Sequence, residues 1–572
     1  MTTAPTPEDL VTYFRDGSFA ARMARFFELN DEAEIATCVA RCAALHDEGS
    51  IDLLMLVESH AVQALEASGF FLATDFLCRV LTELEAPPLR MMACVDALVT
   101  RGGADLVANR PNGAFRTWCA RDPRRAQEVI KSAQDGNDLA VKLVVFALEA
   151  LKDLDIARHT ALDHADDLRY AALTALSRME HGDAASRAES FRLFGHLLDQ
   201  STDDKLGATM LAAIAAIVVP TVSSTTEEAL ALIRRLCREP GPYTLHQAAG
   251  ALWAHGKTLP PEIVSVLLDA HLLIDPTNAG SIEKLDHALQ TLLRTGHEKA
   301  TLDFVTRLLS SRSDDLKLSA FQSFVHTLMS GPSERLSGVT VRWLCAGEFE
   351  LCKGLSDALG GHERNEALQL LPEHLAIPAA DQIVLCQRAI GYFFLQPVKA
   401  ASVLVSVLRV CDELTAHALR RLLINPLLLN YGGIRDYLSA LPAEDAAKPH
   451  VDTALEQNAN YLAALHDVPR LKEMEPPEHH RRIERLRQAE WGREVHKQAQ
   501  SRSVFFGLVK RSVVLYGKGT LTLMRDPNGV SRPMEMDLHT HSVSIETPRM
   551  EIIDPISLAH TLLLCKMGRL PL

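Results

Sequence analysis

Asp166-Asp167-Leu168-Arg169-Tyr170-Ala171-Ala172-Leu173-Thr174-Ala175-Leu176 opens on two acids and continues with apolar residues at helical spacing. Leu168, Ala172, Ala175 and Leu176 share one helical face, because residues three and four apart lie one above the other. An acid at the start suits a helix N-terminus: its oxygen accepts from unsatisfied backbone N–H groups and its charge complements the positive end. Three further segments share the pattern: Asn137 to Leu143, Asp203 to Ala208 and Asp314 to Ala320. Their anchors, Asp138, Asp167, Asp204 and Asp315, stand 29, 37 and 111 residues apart, and the last gap is three times 37. Weaker copies at Thr244–Ala249 and Ser281–Leu285 fall inside it. Self-similarity at such a period marks a stacked repeat.

Outward from these copies, residues 6 to about 465 read as helix after helix, with breaks at Gly, Pro, Asn or Asp. Asp52–Leu65, Leu139–Leu151, Leu206–Ile217, Ile263–Leu273 and Ala400–Val410 are the clearest stretches. Ala and Leu, strong helix formers, dominate their interiors. Aromatic residues are only 5%, which suits helices brought close through small side chains. About twenty helices cannot share one core. A row of helix pairs needs only to cover its neighbours.

The 167–176 stretch resembles the second helix of a HEAT repeat, and a period of about 37–40 resembles the HEAT/armadillo superfamily of α-solenoids over roughly residues 120–420. The resemblance implies a mainly α fold: a right-handed α-solenoid of stacked helix pairs over 1–470. A less regular all-helical domain is the alternative.

A hydrophobic content of 47% with 23% charged residues excludes wholesale disorder. The net charge of −14 is unevenly spread. From Arg470 onward 17 Lys and Arg face 12 Asp and Glu, so that tail carries +5 and the first 469 residues −19. An acidic body argues against a body-wide nucleic-acid groove. Eleven cysteines, none in C-x-x-C spacing, lie mostly within apolar helical patterns. Free thiols, a reducing cytoplasmic location and no zinc site are expected. Met1-Thr2-Thr3-Ala4-Pro5 lacks the basic start and apolar core of a signal peptide. The longest apolar run, Met210–Val219, is too short to span a bilayer, so no membrane partner is expected.

Pro476-Pro477 interrupts helix and marks a boundary. Residues 471–511 read as a linker and a basic helix from Glu478 to about Gln500, and 512–572 as a small α+β module. There Thr520–Met524 alternates as a strand, Asp526-Pro527-Asn528-Gly529 signals a turn and Met534–Ile545 alternates again. A β-hairpin of about 520–525 with 532–546 is expected. A terminal helix follows, with Asp554 as N-cap, Pro555 in the first turn and Leu558, Leu562 and Cys565 as its apolar stripe. The module is expected to pack on the last solenoid helices, because a lone hairpin is marginal in water.

Arg481, Arg482 and Arg485 lie close on one helical face within 479–511, a segment of net +6 that includes Lys510 and Arg511. They are candidate contacts for phosphates or for an acidic protein surface, beside the plainer reading of a solvated charged helix. Arg549 is a candidate anion or partner contact, with structural pairing as the plainer reading. Glu535, Asp537, His539 and His541 alternate so that a strand would set them on one face, a pattern able to bind a divalent metal; the plainer reading is a polar strand face. Tyr516-Gly517-Lys518-Gly519-Thr520 lacks the spacing and following helix of a phosphate loop. No catalytic residue and no cofactor site is legible.

The leading expectation is a non-enzymatic protein-interaction scaffold or adaptor in a cytoplasmic multi-protein complex. A nucleic-acid-associated factor using the basic 479–511 segment is the second reading. A metal-dependent enzyme at the C-terminal module is the third. The composition resembles that of components of bacterial multi-protein machines, including secretion and antiviral defence systems.

Overall fold

The computed structural model describes residues 4–26, 32–103, 109–163, 166–218, 223–311, 315–360, 366–468, 478–502, 519–525, 531–537 and 546–571. The described chain is mainly helical. It divides into two compact units, one of residues 1–339 and 348–359, the other of 340–347 and 360–572.

The first unit begins with α1 (Pro7–Arg15), α2 (Phe19–Met23), α3 (Glu32–Asp47), α4 (Met55–Glu58), α5 (Ala67–Leu81) and α6 (Pro88–Gly102). It continues with α7 (Arg110–Arg121), α8 (Pro123–Gln134), α9 (Asp138–Leu151), α10 (Leu154–Asp163), α11 (Asp166–Arg178), α12 (Ala184–Gln200) and α13 (Asp204–Ile217). Then follow α14 (Ser223–Leu236), α15 (Pro242–His255), α16 (Pro261–Ala270), α17 (Ala279–Arg294), α18 (Glu298–Ser311) and α19 (Gln322–Met329). Helix α20 (Ser333–Ala346) is shared by both units, and α21 (Phe349–Gly360) lies almost wholly in the first.

Two rows organise this unit. Helices α3, α5, α7, α9, α11, α13, α15, α17 and α19 pack each on the next, and α10, α12, α14, α16 and α18 form a second row against them. The starts of α11, α13, α15 and α17 are 38, 38 and 37 residues apart. Buried alanines line the approach of α13, α15 and α17, among them Ala208, Ala213, Ala248, Ala249 and Ala288. A methyl in place of a long side chain lets backbones come near and costs no side-chain entropy.

The same period is written in polar contacts between successive repeats. Asp204 on α13 accepts from Tyr243 and Thr244 backbone N–H groups at the start of α15 (2.8 and 3.2 Å). Asp286 on α17 does the same for Ser323 and Phe324 of α19 (both 2.8 Å). In the second row Arg235 meets Asp199 and Arg307 meets Asp269, each at 2.6 Å. Asp204 and Asp286 each cap the neighbouring repeat's helix, so stacking satisfies donors that a lone pair would leave to water.

Three expectations need correction. Asp52–Leu65 is not one helix: α4 covers only four residues, and His60 takes a left-handed φ of 61°. Asp315 does not open an α-helix; it stands in a turn, and the chain leads on through the 3₁₀ turn Leu318–Ala320 before α19. The caps also sit one residue earlier than the anchors: Asn137 caps α9 and Asp203 caps α13, freeing Asp204 for the next repeat.

The second unit contains α22 (Ala379–Phe393), α23 (Pro397–Leu408), α24 (Glu413–Leu422), a π turn at Leu423–Leu428, α25 (Ile434–Ser439) and α26 (Lys448–His466). Here α22, α24 and α26 form a row, with α23 against α22. Buried Ser402 and Ser406 of α23 accept from the Leu368 and Leu370 N–H groups, holding residues 366–370 extended along the helix. Helix α27 (Glu478–Arg502) follows. Strand β1 (Gly519–Arg525) pairs antiparallel with β2 (Ser531–Asp537), Thr522 opposite Met534. The connecting turn, 526–530, lies outside the described residues.

The chain ends in α28 (Arg549–Ile553) and α29 (Pro555–Met567). Asp554 accepts from Ser557 N–H at 3.0 Å and caps α29, while Leu558 and Cys565 are buried and Leu562 is half-buried. This tail lies within the second unit. It packs on α22, where Gln387 Nε2 donates to Leu570 O (2.8 Å) and the Lys566 ammonium lies over the Tyr392 ring. Upstream, Glu546 accepts from Gly432 and Gly433 N–H (2.6 and 3.0 Å), and Met550 N–H donates to Asn430 Oδ1.

Candidate functional site

The free face of the first row carries a trough. Its larger part, about 720 Å³, crosses α3, α5 and α7. Ala36, Val39 and Ala40 of α3, Cys78 of α5 and Ala114 of α7 give it an apolar floor. Burial pushes the Cys78 thiol up to about 12, with Cys94 adding to the effect. Cys78 therefore stays protonated and serves as apolar lining rather than as a nucleophile. Ion pairs between helices form the rim: Arg79 with Glu32, Arg110 with Asp75 and Arg121 with Glu83. Each rim cation has an acid beside it, Glu83 coming from the turn after α5, so these pairs are electrically balanced.

A smaller pocket of about 310 Å³ continues across α7, α9 and α11. Gly113 lines both parts. A Cβ added there would meet nothing within 4 Å, so the two hollows adjoin at an open point of α7. The pocket is built around Glu149, whose side chain is only 5% exposed. One carboxylate oxygen accepts from Arg116 of α7 (3.2 Å) and the other from Arg178 of α11 (2.8 Å). Both guanidiniums remain about half exposed, and Asn109, Asn112 and Phe146 complete the walls.

Serine–histidine contacts exist but do not form a catalytic triad. Ser190 Oγ lies 3.1 Å from His181 Nε2 and accepts from Arg158 Nε at 3.2 Å. His181 Nδ1 faces Met179 O rather than a carboxylate, and Ser190 is wholly buried. His246 meets Ser281 with one ring nitrogen and the Lys284 ammonium with the other.

The chain matches no known protein-family model and no curated protein. The site therefore stands on its own geometry.

Of the residues singled out in the sequence, Arg481, Arg482 and Arg485 are exposed on α27, and every α27 side chain that is described is exposed. Lys510 and Arg511 lie outside the described residues, as do His539 and His541. Glu535 and Asp537 lie on β2, where only the backbone is described. Arg549 opens α28 and is exposed, its guanidinium next to Gly432, where the Glu546 carboxylate is bound. Among the described residues no group of three or more His, Cys, Asp and Glu is placed to hold a metal. All eleven cysteines are free and none is exposed. No described helix is long and apolar enough to cross a membrane.

Sequence reading missed the trough. Glu149 sits inside the apolar run Leu148–Leu151. A charged residue in such a position is the available signal, because a carboxylate on a buried face requires partners.

Proposed function

We propose that this chain is a protein-interaction scaffold: a right-handed, HEAT-like α-solenoid whose row α3–α11 receives an extended segment of a partner protein. The observation that carries the reading is that two hollows on successive helices of one row adjoin at Gly113. An apolar floor supplies affinity by removing partner side chains from water. A rim of fixed ion pairs supplies orientation without leaving an unpaired charge to desolvate.

The test is a photo-reactive side chain at Thr117, which lines the larger part. The reading requires cross-links to one segment of one partner, and their loss in Gly113→Trp with an unchanged circular dichroism spectrum and melting point. The same cross-links in the Trp variant would refute it.

A second reading is favoured by the exposure of α27. Arg481, Arg482 and Arg485 are exposed to solvent, which supports a nucleic-acid contact by that helix. Such binding weakens steeply with salt as counterions are released. Reversing all three charges should abolish the shift of a labelled RNA or DNA duplex, and an unaltered shift dismisses this reading.

A further inference from the structure

We infer that the Arg116–Glu149–Arg178 pocket is a carboxylate anchor, and that the segment held in the trough is an acidic–apolar peptide of about ten to twelve residues. The inference rests on the scaffold reading and names the chemistry of its partner.

The charge balance carries it. Glu149 is a single buried carboxylate shared by two guanidiniums. Two positive charges against one negative leave the pocket at +1, and no other acid is among its described lining residues. Each guanidinium gives one arm of its donor fork to Glu149 and keeps further N–H groups, half exposed, for a ligand. Asn109 and Asn112 bring amides that donate or accept. A carboxylate of charge −1 balances the pocket. A phosphate dianion would leave it negative, so the charge balance selects Asp or Glu.

Neighbouring packed helices stand about 8–10 Å apart, and the trough takes four such steps from α3 to α11. An extended chain rises about 3.3 Å per residue, giving ten to twelve residues. The acid belongs at the α7–α11 end. Small or medium apolar side chains belong over Ala36, Val39, Ala40 and Ala114.

The experiment uses the full chain and pools of twelve-residue peptides, randomised except for one position fixed as Asp, Asn, Lys or phosphoserine. The Asp pool should bind about tenfold tighter than the Asn pool, the usual worth of a charge-assisted hydrogen bond. The Lys pool should bind more weakly still, and phosphoserine should gain nothing over Asp. In Arg178→Gln the Asp preference should fall below about twofold. Glu149→Gln keeps the shape, raises the pocket to +2 and should let phosphoserine overtake Asp; a wild-type-like Asp preference in this variant would contradict the charge balance.

Equal binding of Asp and Asn pools to the wild type, a wild-type preference for phosphoserine, or an Asp preference that survives Arg178→Gln overturns the anchor. Gly113→Trp separates the two levels. If it abolishes binding of every pool while the Asp preference is absent, only the anchor fails. If it binds all pools as the wild type does, or if no pool binds the wild type, the trough reading fails and the anchor with it.

Discussion

Asp445 shows how much one side chain carries between repeats. Its carboxylate receives Arg409 Nε at 3.1 and 3.2 Å and Nη2 at 2.8 Å, and also the Ala447 N–H at 3.0 Å. The hydrogen bonds from Arg409 hold its carboxyl below the usual aspartate range, outweighing the opposing effect of burial. A carboxyl whose folded pKa is depressed contributes stability that is complete above its unfolded pKa of about 3.9 and is lost as pH falls through the lower folded value. Asp445→Asn should therefore cost about 1–2 kcal/mol at pH 7. In urea titrations the difference from wild type should shrink below pH 4; a pH-independent difference would contradict the ion pair as its cause. At this scale sequence showed acids at helix starts but misassigned their work. Asp204 looked like a cap for its own helix and caps the following one, because the pattern is local and the acceptor's target lies 39 residues away.

Helix α22 is the element on which the C-terminal tail depends. Gly391 lies in its interior, where alanine ordinarily stabilises a helix by about 1 kcal/mol. Here a Cβ would stand 2.7 Å from the Lys566 backbone nitrogen and 3.0 Å from its Cα. Backbone cannot swing aside as a side chain can, so Gly391→Ala should reverse the usual sign and destabilise by about 1–3 kcal/mol. Hydrogen exchange should localise the loss to α29, and stabilisation by the alanine would show that the helices are not so closely apposed. The helix α29 itself was readable from Asp554, Pro555 and its apolar stripe. Its seat on α22 was not, since Leu558 and Cys565 announce that a face will be covered without naming the cover.

The molecule contains two units, and the tail belongs wholly to the second. Removing residues 546–572 uncovers the α22 face, deletes the cap on Gly432 and Gly433 and strips the burial of Leu558 and Cys565. The second unit should lose about 3 kcal/mol or more. Amide protection in α22 should fall while that of α9–α17 stays unchanged. Equal protection of α22 in the full and shortened chains would mean that the tail is an appendage. The division near residues 340–360 carries no composition signal, since it depends on which helices choose each other.

Helix content, the period of 37–40 and the caps of the terminal helix were determined by the sequence alone, because a helix closes its hydrogen bonds within four residues and its apolar stripe is a local pattern. The trough, the pairing of Glu149 with Arg116 and Arg178, and the seat of the tail were decided only by the tertiary structure. Each joins groups 29 to 183 residues apart. Nothing in the intervening chain encodes such a meeting; it exists only once successive helices have packed and a buried charge must find its partners across them.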